Sequence, residues 1–216
     1  MVRKHIGIVI FNDIEVLDFC GPFEVFSATR LSEEKRRDEP SPFEVFLIAE
    51  NVSYVTTTGG MNVMPHYSFE NCPRMDILVV PGGWGTRKEL SNPVMLEWLR
   101  AQAAEVETLT SVCTGSMLLG FAGLLDGLHA TTHWRSLDWM RDSFPEVVVE
   151  YGQHVVSDGR VFTSAGISAG IDMALKVVAR YYGEDIARAT AAHMEYPFPT
   201  GNERRVRISA EPPAND

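Results

Sequence analysis

Short apolar runs rich in valine and isoleucine alternate along the chain with longer segments in which apolar residues recur three and four positions apart. Runs of the first kind are typical of strands buried in a sheet, and segments of the second kind are typical of helices that cover it. Strands are predicted over residues 5–11, 43–49, 76–80, 108–112 and 129–132. Helices are predicted over residues 15–30, 92–105, 115–125, 136–143, 167–182 and 184–194. This alternation predicts an α/β fold, a doubly wound sandwich with a mainly parallel central sheet.

Glycine and proline modify this pattern at a few places. Gly21-Pro22 falls inside the first predicted helix, and because proline has no N–H we expect a break there, with Pro22 opening the second piece. A glycine pair within residues 54–69 predicts a hairpin at the edge of the sheet, and a second glycine-turned hairpin is predicted within residues 147–163.

The length of 216 residues suits one well-filled α/β domain, and no linker interrupts the pattern. We therefore predict a single domain over residues 1–198, followed by a polar, mobile tail over residues 199–216. That tail is too short to hold a helix-turn-helix module.

Charge and cysteine content narrow the classes of partner and compartment. The chain has 19 Lys and Arg against 29 Asp and Glu, and a net charge of −10 repels nucleic-acid phosphates and anionic lipid alike. It has no apolar run long enough to span a bilayer and no signal-peptide core. Three cysteines without a CxxC pair give neither a disulfide framework nor a zinc motif. We expect a cytoplasmic protein that binds neither membrane, nucleic acid nor metal.

Cys113 is the strongest candidate for chemistry because it follows a predicted buried strand and precedes a predicted helix. Ligands of parallel sheets gather at the carboxyl ends of the strands, and a reactive side chain at such a junction resembles a nucleophile elbow. The helix N-terminus is predicted to lower the thiol pKa and so to enrich the thiolate. The alternative is a small buried filler, the interpretation we give to Cys20 and Cys72, which lack the elbow context.

Five motifs occur in a fixed order along the chain: Leu17-Asp18-Phe19-Cys20-Gly21-Pro22, Val80-Pro81-Gly82-Gly83, Ser111-Val112-Cys113-Thr114-Gly115-Ser116, Ala130-Thr131-Thr132-His133-Trp134 and Gly166-Ile167-Ser168-Ala169-Gly170-Ile171-Asp172. Together they resemble the ThiJ/PfpI superfamily over about residues 6–196, and the set is most similar to its isocyanide hydratases. The resemblance implies a flavodoxin-like, glutamine amidotransferase-like fold, a homodimer and a reactive elbow cysteine beside an acidic residue.

Carried onto this chain, the resemblance makes Cys113 the nucleophile and Asp18 its acidic partner. A carboxyl group beside a thiolate in a partly desolvated site should have a raised pKa and could donate a proton near neutral pH. Without the resemblance, Asp18 would be interpreted as a helix cap or turn residue. The N–H of Thr114 is expected to point at the reacting centre, and its hydroxyl to touch substrate or to cap the helix.

The resemblance also implies substrate-binding residues: Gly82, Gly83, His133 and Ile167. The Gly83 N–H is expected to stabilise an anion together with the Thr114 N–H, although the glycine pair could equally form only a turn. His133 could lie near the nucleophile, or be an ordinary packed or surface histidine.

Thr114 occupies the position at which protease-like and many glyoxalase-like members carry histidine, which argues against a Cys-His triad and peptidase activity. The predicted activity is cofactor-independent hydration of a small isocyanide to an N-substituted formamide through a covalent thioimidate. Two alternatives stay open. One is glyoxalase or deglycase chemistry on small carbonyls, and the other is a redox or ligand sensor that uses Cys113.

Overall fold

The computed structural model describes residues 2–206. The strands are β1 (Lys4–Val9), β2 (Phe43–Ala49), β3 (Val55–Thr56), β4 (Asn62–Val63), β5 (Tyr67–Ser68), β6 (Ile77–Val80), β7 (Thr108–Val112), β8 (His129–Ala130), β9 (Val148–Val149), β10 (Val155–Asp158) and β11 (Val161–Ser164). The helices are α1 (Val16–Ala28), α2 (Thr86–Glu89), α3 (Pro93–Glu105), α4 (Gly115–Phe121), α5 (Leu137–Ser143), α6 (Ala169–Tyr182) and α7 (Glu184–His193), with a 3₁₀ turn over Trp134–Ser136 before α5.

A seven-stranded sheet in the order β10-β11-β7-β6-β1-β2-β5 forms the centre of the molecule. Every neighbouring pair is parallel except β10 and β11, which form an antiparallel hairpin. Helices α1, α6 and α7 pack together, while α2 and α3 pack with α4 against the strands β6 and β7. All four residues of β6 and all five of β7 are buried, as strands covered on both faces require. The predicted doubly wound α/β sandwich is confirmed.

The predicted break of the first helix is wrong, since α1 runs without interruption through Pro22. Pro22 removes only its own hydrogen bond to the carbonyl four residues earlier. Tight packing on α6 favours the continuous helix: a Cβ added to Gly21 would lie 3.1 Å from Ile171, and one added to Gly170 would lie 3.5 Å from Pro22. The glycines therefore bring the two helices close together at the level of the proline.

Both predicted hairpins are present, but the first does not lie at the edge of the main sheet and the second is shorter than predicted. Within residues 54–69, β3 and β4 form a separate two-stranded ribbon, and the edge of the main sheet is β5, which pairs in parallel with β2. Within residues 147–163, β9 pairs in parallel with β8, and only β10 and β11 form the hairpin. The local sequence predicts both glycine turns correctly. The partners of β5 and β9, however, are strands that lie farther away along the chain.

Part of the segment predicted as a mobile tail is hydrogen-bonded to the domain. The Arg204 guanidinium donates to Thr131 Oγ1 at 2.7 Å and to the Thr132 carbonyl at 3.1 Å. Lys176 Nζ donates to Asn202 Oδ1 at 2.7 Å. The rest of the predicted tail, residues 207–216, lies outside the described residues. None of the helices within residues 2–206 has the length and apolar character needed to cross a bilayer.

Candidate active site

Cys113 is the first of the two residues between β7 and α4, and its backbone adopts the left-handed conformation with φ of 56°. This conformation is costly for residues other than glycine, so contacts on both sides must hold it. The Cys113 N–H donates to the Ala165 carbonyl at 3.2 Å. Its carbonyl accepts from Ser116 Oγ at 3.0 Å and from Thr132 Oγ1 at 2.9 Å. The structure thus has the strained strand-to-helix turn of a nucleophile elbow.

Gly115 explains why the elbow continues with a small residue. A Cβ at this position would lie 1.9 Å from the Val80 carbonyl oxygen, a distance that no contact tolerates. The start of α4 therefore rests directly on the backbone at the end of β6. Glycine is needed here for close approach rather than for an unusual φ.

Asp18 lies in the first turn of α1 and is completely buried. The Gly82 N–H donates to its Oδ2 at 2.9 Å, whereas Oδ1 has no hydrogen-bond partner among the described residues. Burial raises the pKa of Asp18 to about 7, with the Gly82 N–H lowering it and the Glu15 charge raising it further. The Cys113 thiol also lowers the Asp18 pKa, which indicates that thiol and carboxyl are neighbours.

Burial also raises the pKa of the Cys113 thiol well above its ordinary value, and the Asp18 charge raises it further. The N–H and hydroxyl of Thr114 and the N–H of Ile167 oppose this shift without reversing it. The Thr114 N–H at the start of α4 lowers the thiol pKa as predicted, but the net shift is upward, so the predicted enrichment of thiolate is wrong. The side chain is almost completely buried, and α4 has only seven residues, so desolvation outweighs the helix dipole.

Thr114 and the glycine pair form a hydrogen-bonded unit beneath the cleft. The Gly83 N–H donates to Thr114 Oγ1 at 3.1 Å, and Thr86 Oγ1 lies 3.0 Å from the same oxygen. Thr114 occupies the N-cap position of α4, but its hydroxyl makes no capping hydrogen bond, so the capping alternative is wrong. In this geometry the Gly83 N–H is engaged by a side chain, and the Gly82 N–H holds Asp18. Gly83 itself requires glycine because its φ is 133°.

Ile167 is the second residue of the site with a strained backbone. Its φ is 57°, which is rare for a β-branched side chain. Its N–H lowers the pKa of both Asp18 and Cys113, so this donor lies close to both groups. The side chain is partly exposed and lines the cleft.

A cleft of about 390 Å³ opens above the cysteine. Its lining consists of Glu15, Gly83, Trp84, Arg87, Cys113, Thr114, His133, Trp134, Arg135, Ser136 and Ile167. Asp18 and Gly82 are not among the lining residues and lie behind the wall. Five predicted site residues thus line one cleft, and the other two contact each other beneath it. Sequence reasoning missed Glu15, Arg87, Arg135 and Ser136, although each lies within four residues of a motif residue.

His133 is half-buried at the side of the cleft. Its Nδ1 accepts a hydrogen bond from the Arg135 N–H at 3.3 Å, and its ring packs against the backbone of Gly166. Burial lowers the pKa of His133, and the charges of Arg135 and Arg204 lower it further. The imidazole is therefore neutral at pH 7.

The fold and this site define a class of protein. A parallel sheet that carries a buried elbow cysteine beside a buried carboxyl matches the expectation from the five motifs, and the sequence profile of the DJ-1/PfpI family matches residues 4–180. The chain belongs to the DJ-1/PfpI family.

Individual relatives refine this assignment. The chain is 36% identical over 203 residues to an isonitrile hydratase of Pseudomonas putida, covering 92% of this chain and 82% of the relative. A crystal structure of a ThiJ/PfpI family protein from Pseudomonas syringae is similar with a TM-score of 0.80 at 30% identity, covering 93% of this chain and 78% of the other. The HTH-type transcriptional regulator GbdR of Pseudomonas aeruginosa is 33% identical over 142 residues, 66% of this chain but only 38% of the regulator.

Proposed function

We propose that this protein hydrates a small isocyanide to the corresponding N-substituted formamide, with Cys113 as nucleophile and Asp18 as the carrier of protons. The observation that carries the proposal is the pair itself: a cysteine at the base of a cleft beside a buried carboxyl whose pKa is raised to about 7. The similarity to an isonitrile hydratase supports the same reaction. Threonine in place of histidine at position 114 argues against a Cys-His mechanism.

Above a pH of about 7 the two buried groups together hold one proton, because the Asp18 pKa is about 7 and the thiol pKa is far higher. The thiol carries this proton at rest, and Asp18 is the carboxylate. Asp18 can therefore act as a general base toward the thiol at the moment of attack. The high thiol pKa does not prevent reaction, since the base lies beside the thiol and the nucleophile forms only when substrate is in place.

In the first half of the reaction, the Cys113 sulfur bonds to the terminal carbon of the isocyanide. Asp18 takes the thiol proton and delivers it to the same carbon, which has gained negative charge. The product is a covalent thioimidate, Cys–S–CH=N–R, and Asp18 is again a carboxylate. The Thr114 and Ile167 N–H groups stabilise the negative sulfur during this transfer.

In the second half, Asp18 removes a proton from a water molecule that attacks the thioimidate carbon, and passes it to the substrate nitrogen. The tetrahedral intermediate then collapses. Its hydroxyl proton moves through Asp18 to the departing sulfur, the C–S bond breaks, and the N-substituted formamide leaves. One water is consumed, Cys113 and Asp18 return to their starting states, and no cofactor is needed.

A substrate panel tests this proposal on the intact protein. Cyclohexyl isocyanide, methylglyoxal and a short peptide are supplied in turn, and products are followed by NMR. We expect formamide from the isocyanide alone, and loss of its formation in Cys113→Ala. Cys72→Ala is the matched control because Cys72 is a partly buried free cysteine that does not line the cleft, and it should retain activity.

Two outcomes would contradict the proposal. Cysteine-dependent turnover of methylglyoxal without hydration of isocyanides would favour the glyoxalase alternative. Equal isocyanide hydration by Cys113→Ala and the parent protein would show that the cysteine is not the nucleophile.

A further inference from the structure

Two arginines line the cleft without an acidic partner. Arg87 belongs to α2 and Arg135 to the 3₁₀ turn, and both side chains border the space above Cys113. Within residues 2–206, the arginines that form ion pairs are Arg3, Arg36, Arg141, Arg188 and Arg205. Arg87 and Arg135 therefore retain guanidinium groups that no carboxylate of this part of the chain neutralises.

Tryptophan rings hold both guanidinium groups in place. Arg87 lies over Trp84, 4.7 Å from the ring centroid, and 5.6 Å from the centroid of Trp139. Arg135 lies over Trp134 at 4.8 Å. Stacking restricts a planar guanidinium while leaving the N–H groups at its edge free to donate. These contacts favour orientations in which both groups can still donate to a ligand in the cleft.

The charges in the cleft are unequally distributed. Glu15 is the one carboxylate among the lining residues; it raises the pKa of Asp18 and forms no ion pair with either arginine. The Arg135 charge reaches into the cleft, since it lowers the pKa of His133. Neither Arg87 nor Arg135 is among the groups that most affect the pKa of Cys113.

A net charge of −10 makes this concentration of cations notable. An acidic surface repels anions in general, so two arginines that are unpaired within residues 2–206 and border the reactive cleft provide a local site at which an anion can bind. Arginine binds carboxylates through two parallel hydrogen bonds, which give both energy and orientation.

We propose that Arg87 and Arg135 form a subsite for a carboxylate, and that the substrates are isocyanides with a carboxylate at the end remote from the isocyano group. This inference rests on the proposed function for the reactive end of the substrate and adds a recognition element for the other end. The substrate then spans the cleft, with its terminal carbon at Cys113 and its carboxylate at the arginines.

Steady-state kinetics test the subsite with matched substrates. ω-Isocyano carboxylates of two to six carbons are compared with their methyl esters, which differ only in charge. The parent protein should have a kcat/KM at least about 10-fold higher for the best carboxylate than for its ester, as expected for a hydrogen-bonded charged group. Arg87→Gln and Arg135→Gln should each remove about 10-fold from the carboxylate and leave the ester within about 3-fold. Arg141→Gln, outside the cleft, is the control and should change neither.

A binding measurement separates failure of the subsite from failure of the reaction. Calorimetry on Cys113→Ala compares the ω-formamido carboxylates, the expected products, with their methyl esters. Tighter, Arg87-dependent binding of the carboxylates without isocyanide turnover would overturn the reaction and retain the anion subsite. Isocyanide hydration with equal rates and equal binding for acid and ester would overturn the subsite and retain the reaction.

Discussion

At the scale of single residues, Asp18 is the group on which the proposed chemistry depends. Its two carboxyl oxygens have different surroundings, because the Gly82 N–H fixes Oδ2 while Oδ1 has no hydrogen-bond partner within residues 2–206. A fixed oxygen keeps the carboxyl oriented, and a free oxygen can receive and return a proton. The pKa near 7 allows both directions of transfer at neutral pH.

The pH dependence of hydration follows from this pKa. With a neutral isocyanide, kcat/KM should rise as the pH passes through about 7, because the reactive state is the one in which the pair has lost its first proton. Asp18→Asn should lower kcat/KM by roughly 10²–10⁴-fold and abolish this rise. A pH–rate profile of both proteins measures this. An unchanged rise near pH 7 in Asp18→Asn would assign it to another group.

The same pKa shift predicts a pH-dependent stability. The folded-state pKa of Asp18 is raised from 3.8 to about 7, so its favourable contribution is complete below pH 3.8 and is lost as the pH rises to about 7. Asp18→Asn should therefore gain stability relative to the parent protein between pH 4 and pH 8, by on the order of 4 kcal/mol for a shift of this size. Urea unfolding across that range gives the difference. A difference that does not vary with pH would contradict the buried, neutral acid.

At the scale of elements, the elbow is built on contact between α4 and the end of β6. Gly115→Ala would bring a Cβ to within 1.9 Å of the Val80 carbonyl, and backbone on both sides cannot yield cheaply. We expect a loss of about 3 kcal/mol in unfolding free energy and a marked loss of turnover, since the nucleophile must move.

Gly152→Ala is the matched control because a Cβ there meets no atom within 4 Å and its φ is not in the left-handed region. Thermal unfolding and isocyanide turnover of the two variants supply the comparison. Equal stability of the two variants would mean that α4 can shift away from β6 at little cost.

The local pattern of hydrophobic and polar residues was sufficient to predict the elements that are completely buried or whose partners are near in sequence. The strands β2 and β7 have the predicted limits, and the elbow lies where the strand-to-helix junction put it. Pro22 was misjudged because its tolerance depends on the distant glycine of α6. The pairing of β9 with β8 was missed for the same kind of reason. The thiol pKa depends mainly on burial, which a sequence motif does not specify. Arg87 and Arg135 could not be recognised as site residues because only the folded chain brings them to one cleft.

At the scale of the whole molecule, the segment after the last helix is connected to the elbow. Arg204 donates to Thr131 and to the carbonyl of Thr132, whose hydroxyl in turn donates to the carbonyl of Cys113. Arg204 thus stabilises the strained turn at Cys113 through hydrogen bonds to Thr131 and Thr132, although it is distant along the chain. The homodimer implied by the resemblance stays a prediction.

Arg204→Ala tests this connection. Loss of the half-buried guanidinium leaves the Thr131 and Thr132 acceptors without their donor, which should cost about 1–3 kcal/mol of unfolding free energy. Glu203→Ala changes the exposed neighbour and should have little effect. Chemical denaturation of both variants provides the measurement. Equal stability would mean that residues 202–205 rest on the domain without supporting it.

The left-handed backbone of Cys113 also has an evolutionary consequence. Glycine or asparagine adopts this conformation more easily than cysteine, by about 1–2 kcal/mol in the case of glycine. A copy of this domain that no longer needed its catalytic activity would therefore gain stability if glycine replaced the cysteine. Selection on stability alone would favour that replacement. If cysteine is retained at this turn over many generations, selection must have continued to require its sulfur. Its replacement in a lineage would indicate that this requirement had ended.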